Sequence, residues 1–524
     1  MAFTALDWIA LVIYLLAVIA IGLAFSSRQT STNEFFLAGR RFKALAVSLS
    51  VLATGTSAVS FLGVPGFVIA RDWSTLFASL MGIPATLLVA ALFVPFFYNL
   101  KLTSTYDYLQ KRFDAKAAAL GGVLFFMLRG LLAGIAIYAP SIALCAVTGW
   151  NLTVCIVLSG LLTLAYATLG GMSAVVWNDI LQATILYGGA LVVIIQLSIR
   201  LPGHFGDWFA QASAANKFNL FDMHFSLVKL TFWGSAVGGL FYNIAFYGVD
   251  QVLVQRYLAS KSLKDAQKSL YLNSIYAIPS ALMFFGIGTL LYLYLTQNRS
   301  AFPSSLSSDQ IFPYYIVRHM PPGLPGLMVA AVYAAAMGQL SSVLNSLSTV
   351  SVNDFYKRFW RPHESEEHYV KLGRRLTIVW GLLAIATGLL AVHMDPSVWM
   401  QGIKAGGLFM GPLLGMFLLG MISDRVTSNA AFTACIAGSV LSLIAGFGSR
   451  LEMFWLTLFG TAITLLLGRG LCIIWPASLA TQKANFSYTF AALKRHQMET
   501  PAMEIEGAGS SSRDLASATS RKCC

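Results

Sequence analysis

The amino-acid sequence predicts an all-α integral membrane protein with about thirteen transmembrane helices. Its 524 residues are 57% hydrophobic and only 11% charged, and their mean hydropathy is +0.70. A soluble domain, by comparison, carries about 25% charged residues. The apolar residues also fall in blocks of about 20, which is the length of a helix that crosses a hydrocarbon core of ~30 Å.

The predicted spans follow one another along nearly the whole chain. Their approximate bounds are 5–26, 44–70, 75–99, 117–148, 151–171, 173–199, 228–250, 269–296, 311–352, 373–393, 397–422, 428–448 and 452–474. Three longer polar stretches, at 200–227, 297–325 and 353–372, are predicted to be loops.

Basic residues gather in every second loop and account for the formal net charge of +13. This alternation is the positive-inside signature of membrane proteins, so the charge does not indicate nucleic-acid binding. It places the N-terminus outside and the C-terminal tail in the cytoplasm, and we expect a plasma membrane or inner cell membrane. The basic clusters are Arg28, Arg40, Arg41 and Lys43; Lys101, Lys111, Arg112 and Lys116; Arg256, Lys261, Lys264 and Lys268; and Lys357, Arg358, Arg361, Lys371, Arg374 and Arg375.

Two of the predicted spans contain interruptions. The second span has small and hydroxylated residues at 53–57, and the seventh has the stretch 242–248, which is rich in polar and aromatic residues. Discontinuous helices at matching positions of two halves are typical of inverted-repeat transporters. Small residues are also common where membrane helices pack together, and for either span alone that reading is as good. Because the two spans lie five apart, we predict a five-plus-five inverted repeat.

This repeat divides the chain into five predicted segments. They are the first span with a cytoplasmic loop (1–43), the first five-helix repeat (44–200), the second repeat (201–423), two additional spans (424–482) and a cytoplasmic tail expected to be disordered (483–524).

Four ionisable residues, Arg129, Asp179, Asp250 and Lys404, are predicted at or near membrane depth. A charge at the bilayer centre costs at least ~2.5–3.5 kcal/mol, so such residues usually face a cavity and serve function. Arg129 and Lys404 lie deeper and either attract an anionic solute or pair with a carboxylate; snorkelling is the alternative for Arg129. For the two aspartates the alternative is an interfacial salt bridge, such as Asp250 with Arg256.

Oxygen-bearing side chains mark two spans as candidates for binding a hard monovalent cation. The interruption in the second span frees backbone carbonyls around Ala53 and Thr56 and adds the hydroxyls of Thr56 and Ser57. The ninth span carries a polar stripe, which either lines a pathway or forms interhelical hydrogen bonds worth ~0.6 kcal/mol each. We favour the pathway. The stripe consists of Gln339, Ser341, Ser342, Asn345 and Ser346.

Three motifs stand out at residues 32–40 (TNEFFLAGR), 170–179 (GGMSAVVWND) and 250–258 (DQVLVQRYL). Together they resemble the sodium/solute symporter family, also called solute carrier family five. Residues 138–144 are similar to the branch that carries iodide, monocarboxylates and water-soluble vitamins. The resemblance extends from about Asp7 to Arg469 and implies a LeuT-like inverted-repeat fold with alternating access.

The resemblance also implies a coupling sodium ion between the second and ninth spans. Carried across residue by residue, the candidate ligands are Ala53, Thr56 with the adjacent Ser57, Ala335, Gly338 and Gln339. The family usually has two hydroxyl residues at the last two positions, so proton-coupled or uncoupled transport stays open. Asp179 matches a carboxylate on the cation's inward exit route. The candidate substrate residues are Ser60, Asn243, Phe246, Tyr247, Lys404 and Arg129.

We therefore predict a secondary active transporter that couples sodium to the symport of a small solute, with an organic or inorganic anion favoured. The predicted partners are this solute and membrane lipid, with neither nucleic acid nor an obligate protein partner. A non-transporting receptor or scaffold is the alternative from another class. A membrane enzyme ranks third, because the sequence has no HExxH, GxSxG, Walker A or CxxC motif.

Overall fold

The computed structural model describes residues 3–26, 31–391 and 398–492. Within these ranges the chain forms α-helices and no β-strand. The first helices are α1 (Ala5–Ser26), α2 (Thr32–Leu37), α3 (Ala44–Gly55), α4 (Ala58–Ala70), α5 (Leu76–Leu80), α6 (Gly82–Asn99), α7 (Tyr106–Arg112), α8 (Ala115–Thr148), α9 (Leu152–Arg200) and α10 (Phe205–Ala214).

The second half continues this pattern, with π-helical turns at Gly234–Gly238 and Ser351–Trp360. Its helices are α11 (Gly239–Gly248), α12 (Gln251–Leu258), α13 (Leu263–Gln297), α14 (Ser308–His319), α15 (Leu324–Val350), α16 (Glu366–Ala391), α17 (Val398–Ile422), α18 (Ser428–Gly448), α19 (Trp455–Leu471) and α20 (Leu479–Phe486).

The helices account for the predicted membrane spans. Over the described ranges, nine helices are long and apolar enough to cross a membrane, or eleven if each of two bent pairs counts as one span. Two shorter apolar helices, Leu152–Ala165 and Trp455–Leu471, occupy two more of the predicted spans. The all-α class is confirmed, and the number thirteen stays a prediction.

The first predicted interruption is present. The axes of α3 and α4 meet at 53° because Thr56 and Ser57 adopt extended backbone between them. The Ser57 hydroxyl accepts a hydrogen bond from the Ser60 N–H at 3.1 Å and so caps the first turn of α4. A side-chain cap of this kind satisfies one of the N–H groups that a helix start leaves without a partner.

The second interruption lies further along the chain than the sequence analysis placed it. The prediction of a break within 242–248 is wrong, because α11 runs through Ala245 to Gly248. The break falls at Val249 and Asp250, where α11 and α12 meet at 52°. Asp250 caps α12, since its Oδ1 accepts from the Val252 N–H at 2.9 Å.

Two other span boundaries depend on glycines with positive φ. Gly171, at φ 56° and ψ −162°, divides the 49 residues of α9 into two helices, as predicted by the boundary between spans 151–171 and 173–199. The single predicted span 311–352 is wrong, because α14 and α15 are separate helices. Pro321, Pro322 and Gly323 (φ 90°) lie between them, and two prolines cannot continue a helix.

The loops predicted to be basic meet at one end of the helix bundle, which we call the basic end. The backbones of Phe42 and Lys261 are joined by a hydrogen bond of 2.9 Å, and Arg40 donates to the carbonyl of Leu102 at 2.8 Å. At the opposite end, Asp7 accepts from the N–H of Gly326 at 2.8 Å.

The polar segments contain more structure than the sequence analysis predicted. The predicted loops 200–227 and 297–325 contain α10 and α14. The predicted tail 483–524 begins inside α20, and the Tyr108 hydroxyl donates to the carbonyl of Tyr488 at 3.1 Å. Residues 493–524 lie outside the described ranges.

Helix α15 is the centre of the bundle. Almost every one of its residues is buried, and it packs against α1, α3, α8 and α9. In contrast, α1, α16 and α18 each expose rows of large apolar side chains, as expected for helices at the lipid boundary. The bent helix α3–α4 and helix α15 are therefore held in contact, which places the predicted cation ligands on facing elements.

Candidate functional site

A cavity of about 220 Å³ lies between the bent helix α3–α4, helix α11 and helix α13. Four of the predicted substrate residues, Ser60, Asn243, Phe246 and Tyr247, line it together. Its lining mixes polar groups with aromatic and aliphatic faces, as is typical of small-molecule sites. The other polar lining residues are Thr56, Ser79, Tyr242, Asn273 and Ser280.

Hydrogen bonds fix several of these polar groups in place. The Asn243 side-chain amide donates to the carbonyl of Ala78 at 2.9 Å, which ties α11 to α5. The Tyr247 hydroxyl accepts from the Asn273 amide at 3.3 Å. These two bonds orient the α11 face of the cavity before any solute binds, and such preorganisation reduces the cost of binding.

A second, smaller cavity of about 90 Å³ adjoins the first and shares Gly55, Ser60 and Phe246 with it. Ser57, Gln339 and the predicted substrate residue Arg129 also line this space. The Gln339 Oε1 atom is buried and has no hydrogen-bond partner within the described part of the chain. A buried acceptor without a donor costs about 1–3 kcal/mol, so this oxygen is suited to a bound ligand or ion.

The predicted cation ligands lie at the junction of α3 and α15. Ala53 and Ala335 are both buried on these two packed helices. The end of α3 leaves its last carbonyls without helical donors. The two hydroxyls predicted here are already engaged, because Ser57 caps α4 and the Thr56 Oγ1 lies 2.8 Å from the Tyr187 hydroxyl.

Gly338 creates room that a neighbouring side chain fills. A Cβ atom at this position would lie 2.5 Å from the Gln182 Oε1 and 3.4 Å from the Asp179 Oδ1. Neither of these buried oxygens has a hydrogen-bond partner in the described residues. The amide of Gln182 therefore occupies part of the space that a hydroxyl side chain at position 338 would need.

Asp179, predicted on the cation's exit route, belongs to a buried polar cluster. Its Oδ2 lies 3.1 Å from the Arg256 Nη2 and also accepts a hydrogen bond from Ser50. Arg256 donates to Ser342 as well. The proposed pairing of Asp250 with Arg256 is thus wrong, since the partner of Arg256 is Asp179.

Arg129 forms a buried salt bridge with Asp250. The alternative that Arg129 snorkels to the membrane surface is therefore wrong. The Arg129 Nε lies 2.9 Å from the Asp250 Oδ2, a second bond joins the same two groups, and both side chains are almost fully buried. The guanidinium also lies 5.5 Å from the centre of the Phe246 ring. The alternative that Arg129 pairs with a carboxylate is therefore the one found.

Lys404 does not join the other predicted substrate residues. It lines a different cavity, near the end opposite the basic end, with its Nζ 4.6 Å from the centre of the Phe447 ring. The neighbouring residue Ile403 lines the central cavity instead.

The polar stripe on α15 is used mainly for contacts with α12. Gln255 donates to the Asn345 Oδ1 at 2.8 Å and accepts from the Ser346 hydroxyl at 2.9 Å. Ser341 donates within α15 to the Gly338 carbonyl at 3.3 Å. Along this part of α15 the geometry matches the interhelical alternative, not the pathway that we favoured.

Several residues at the site were missed by the sequence analysis. Tyr187 bridges Thr56 and Ser280 through two hydroxyl contacts of 2.8 Å, and Gln182 faces Gly338. Both lie on α9 at polar positions of an apolar helix. That pattern was a usable signal, because polar residues inside membrane spans usually face the bundle interior.

These features define a class of protein. Two bent helices enclose a polar cavity at the core of an apolar bundle, which is the arrangement of an inverted-repeat secondary transporter. A family model describing the sodium:solute symporter family matches residues 35–438. The chain therefore belongs to the sodium:solute symporter family.

Relatives and a solved structure agree with this assignment. The chain is 31% identical over 457 residues to a sodium/sialic acid symporter of Proteus mirabilis, covering 87% of this chain and 92% of the relative. It is 33% identical over 463 residues to human sodium-coupled monocarboxylate transporter 1, covering 86% of this chain and 74% of that relative. The substrate-bound outward-open structure of a Na⁺-coupled sialic acid symporter superposes with a TM-score of 0.86 at 30% identity, covering 91% of this chain and 99% of that one.

The predicted LeuT-like inverted-repeat fold is thereby confirmed, as is the prediction of a transporter and not an enzyme. The chain is a multi-pass membrane protein and a sodium-coupled symporter of a small solute that works by alternating access. Na⁺ is the coupling ion.

Proposed function

We propose that the solute is a small organic anion and that it binds in the central cavity with its carboxylate against the start of α4. The observation that supports this most directly is the break between α3 and α4, whose two buried ends line adjoining cavities: Ser60 lines both, and Ser57 lines the smaller one. A helix N-terminus offers free N–H groups and a partial positive charge to an anion. Relatives that are named for sialic acid and for monocarboxylates support a carboxylate solute.

The other end of the same break is suited to sodium. The carbonyls of Ala53 and Thr56 lie at the C-terminal end of α3, which carries partial negative charge. Ala335 is buried on α15, which packs against α3, and the Gln339 Oε1 supplies a buried oxygen without a donor in the described residues. Gly338 contributes no side-chain oxygen, so Gln339 replaces the usual hydroxyl pair with a single amide ligand.

The ion and the solute would thus bind at opposite ends of one interrupted helix. Each ligand stabilises the local arrangement that the other needs, which makes their binding cooperative. Asp179 lies on α9, which packs against α15 beside Gly338, and it would attract the ion as the ion leaves toward the basic end. Each Na⁺ that moves down a membrane potential gains about 2.3 kcal/mol per 100 mV.

We also propose the orientation and the boundaries that the sequence predicted. The basic end would face the cytoplasm, with the N-terminus outside, in a plasma membrane or inner cell membrane. The two repeats would comprise 44–200 and 201–423, and lipid would contact the exposed apolar faces of α1, α16 and α18.

Uptake into proteoliposomes tests the proposal. N-acetylneuraminate and L-lactate are supplied with an inward Na⁺ gradient, with an inward H⁺ gradient and with neither gradient. We expect uptake of at least one of them with Na⁺ only. Uptake driven by H⁺ alone would instead support proton coupling, and absence of uptake of both would refute the carboxylate proposal.

Two variants locate the anion. Ser60→Ala removes a hydroxyl at the start of α4, and the loss of a hydrogen bond to a charged group predicts a KM increase of about tenfold or more. Ser304→Ala, in the exposed loop after α13, is the matched control and should leave KM unchanged. An unchanged KM in Ser60→Ala would contradict the proposed position of the carboxylate.

A further inference from the structure

A wide cavity of about 770 Å³ opens near the end of the bundle opposite the basic end. Four cationic side chains line it: Arg71, Lys229, Lys404 and Arg450. Two carboxylates, Asp72 and Glu452, are the acidic groups of this lining. The cavity therefore has an excess of positive charge at an end of the molecule where the sequence has few basic residues.

Both carboxylates already accept hydrogen bonds from N–H groups of the protein. Asp72 accepts from the Ser74 N–H at 2.9 Å and from the Asn219 amide at 3.1 Å. Glu452 is buried, its Oε2 accepts from the Phe454 N–H at 2.9 Å, and burial raises the pKa of its carboxyl to about 7. Neither carboxylate forms a salt bridge with a cation of this lining in the described residues, although the charge of Arg71 acts on Glu452 and partly offsets the effect of burial on its pKa. With four cations and two carboxylates, the lining keeps a net positive charge toward an external anion.

An apolar cluster lies between this cavity and the central one. Ala78, Ile403 and Phe454 form a buried hydrophobic cluster, and all three also line the central cavity. Lys404 follows Ile403 in the chain and Met453 precedes Phe454, and both of these neighbours line the outer cavity. The two cavities are thus lined by adjacent residues of α17 and of the loop before α19.

We propose that the outer cavity is a second binding site, which holds a small carboxylate before the wall of Ile403 and Phe454 opens toward the central cavity. The site captures the anion by charge. Clefts lined by one sign of charge raise the local concentration of an oppositely charged solute and speed its arrival. Because three of the four cations are exposed, capture is weak and depends on ionic strength. This inference rests on the proposed function only for the anionic class of the solute.

The first experiment measures uptake by the double variant Arg71→Gln/Lys404→Gln in proteoliposomes. The probe is N-acetylneuraminate or L-lactate, whichever the wild-type protein takes up. We expect KM to rise about two- to tenfold, in line with the loss of one exposed and one partly buried charge interaction. We also expect the salt dependence of KM to flatten and the maximal rate to stay within a factor of two.

The control is Lys371→Gln, which removes a charge at an exposed position of α16 and should change neither KM nor its salt dependence. An unchanged KM with an unchanged salt dependence in the double variant would overturn the proposal.

A second experiment separates this site from the central one. Ser60→Trp fills the central cavity, and binding of the same two carboxylates is then measured by equilibrium dialysis of the detergent-solubilised protein. We expect residual weak binding that disappears when Arg71→Gln/Lys404→Gln is added. Wild-type uptake with no residual binding in Ser60→Trp would leave the central site standing and remove the outer one. Residual binding without wild-type uptake would keep the outer site and refute the proposed function.

Discussion

The buried pair of Arg129 and Asp250 gives a sharp test of how the second helix break is held. Asp250 occupies the break between α11 and α12, and Arg129 reaches it from α8 across 121 residues of sequence. Their side chains are only 2% and 1% exposed. Removing one partner leaves an uncompensated buried charge, which costs about 3–5 kcal/mol, whereas replacing both charges together is often nearly neutral.

The perturbation is therefore a double-mutant cycle of Arg129→Met, Asp250→Asn and the two combined. Asparagine keeps an oxygen that can still cap α12, so Asp250→Asn removes the charge but not the cap. We expect each single variant to lose about 3–5 kcal/mol of stability and the double variant to recover most of that loss.

The assay is the apparent melting temperature of the detergent-solubilised protein, followed by size-exclusion chromatography, with Na⁺-driven uptake as a second readout. Arg112→Met is a control outside the pair, because Arg112 donates to the backbone carbonyls of Gly420, Ser423 and Val426 and forms no salt bridge in the described part of the chain. If the effects of the two single variants simply add in the double variant, the two residues are not coupled and the reasoning fails.

Three further predictions follow from other contacts. Lys217→Met should lower the melting temperature and speed proteolysis of the segment 201–233 that contains α10, since the Lys217 Nζ donates to three backbone carbonyls at the end of α4. An unchanged cleavage rate would contradict this. Gly338→Ser should lower the apparent Na⁺ affinity in uptake assays because the new side chain meets Gln182, and adding Gln182→Ala should restore that affinity. An equal loss of affinity in the single and the double variant would show that Gln182 does not fill the space beside position 338. Burial raises the pKa of Glu452 from 4.5 to about 7, so its contribution to stability is present below pH 4.5 and is lost as the pH rises to about 7. Melting temperatures between pH 5 and 8 should fall less steeply in Glu452→Gln, and a parallel slope would count against this assignment.

The membrane fold could be predicted from the sequence because its signals are local. Apolar blocks of spanning length and the small residues at 53–57 mark helices and a break within a few positions of each other. The second break was misplaced because Asn243 and Gly248 resemble an interruption. Asp250 before the polar Gln251 is a helix-start signal, and it would have indicated the observed position. Likewise, Pro321 and Pro322 within the predicted span 311–352 were a sign that it contains two helices.

The partners of the buried charges could not be predicted in the same way. Asp179 and Arg256 are 77 positions apart, and which of the four buried charges pair depends on how α8, α9 and α12 pack together. Lys404 shows that even the directions of two adjacent side chains on one helix could not be predicted. It neighbours Ile403 in sequence, yet the two residues line different cavities. Depth in the membrane follows from hydropathy, but the direction of a side chain around its helix does not.

The two helix breaks are related by the repeat, but they are not chemically equivalent. At the second break, Asp250 caps α12 and is itself bound by Arg129, so the protein satisfies the positive end of that half-helix internally. At the first break, Ser57 satisfies only one N–H of α4, and the cavities reach both Ser57 and Ser60. A free helix end attracts a ligand of opposite charge, whereas a neutralised one does not. The asymmetry therefore supports the proposal that the charged parts of the cargo bind at the α3–α4 break. On that proposal α11, with Asn243, Phe246 and Tyr247, would contact the uncharged body of the solute.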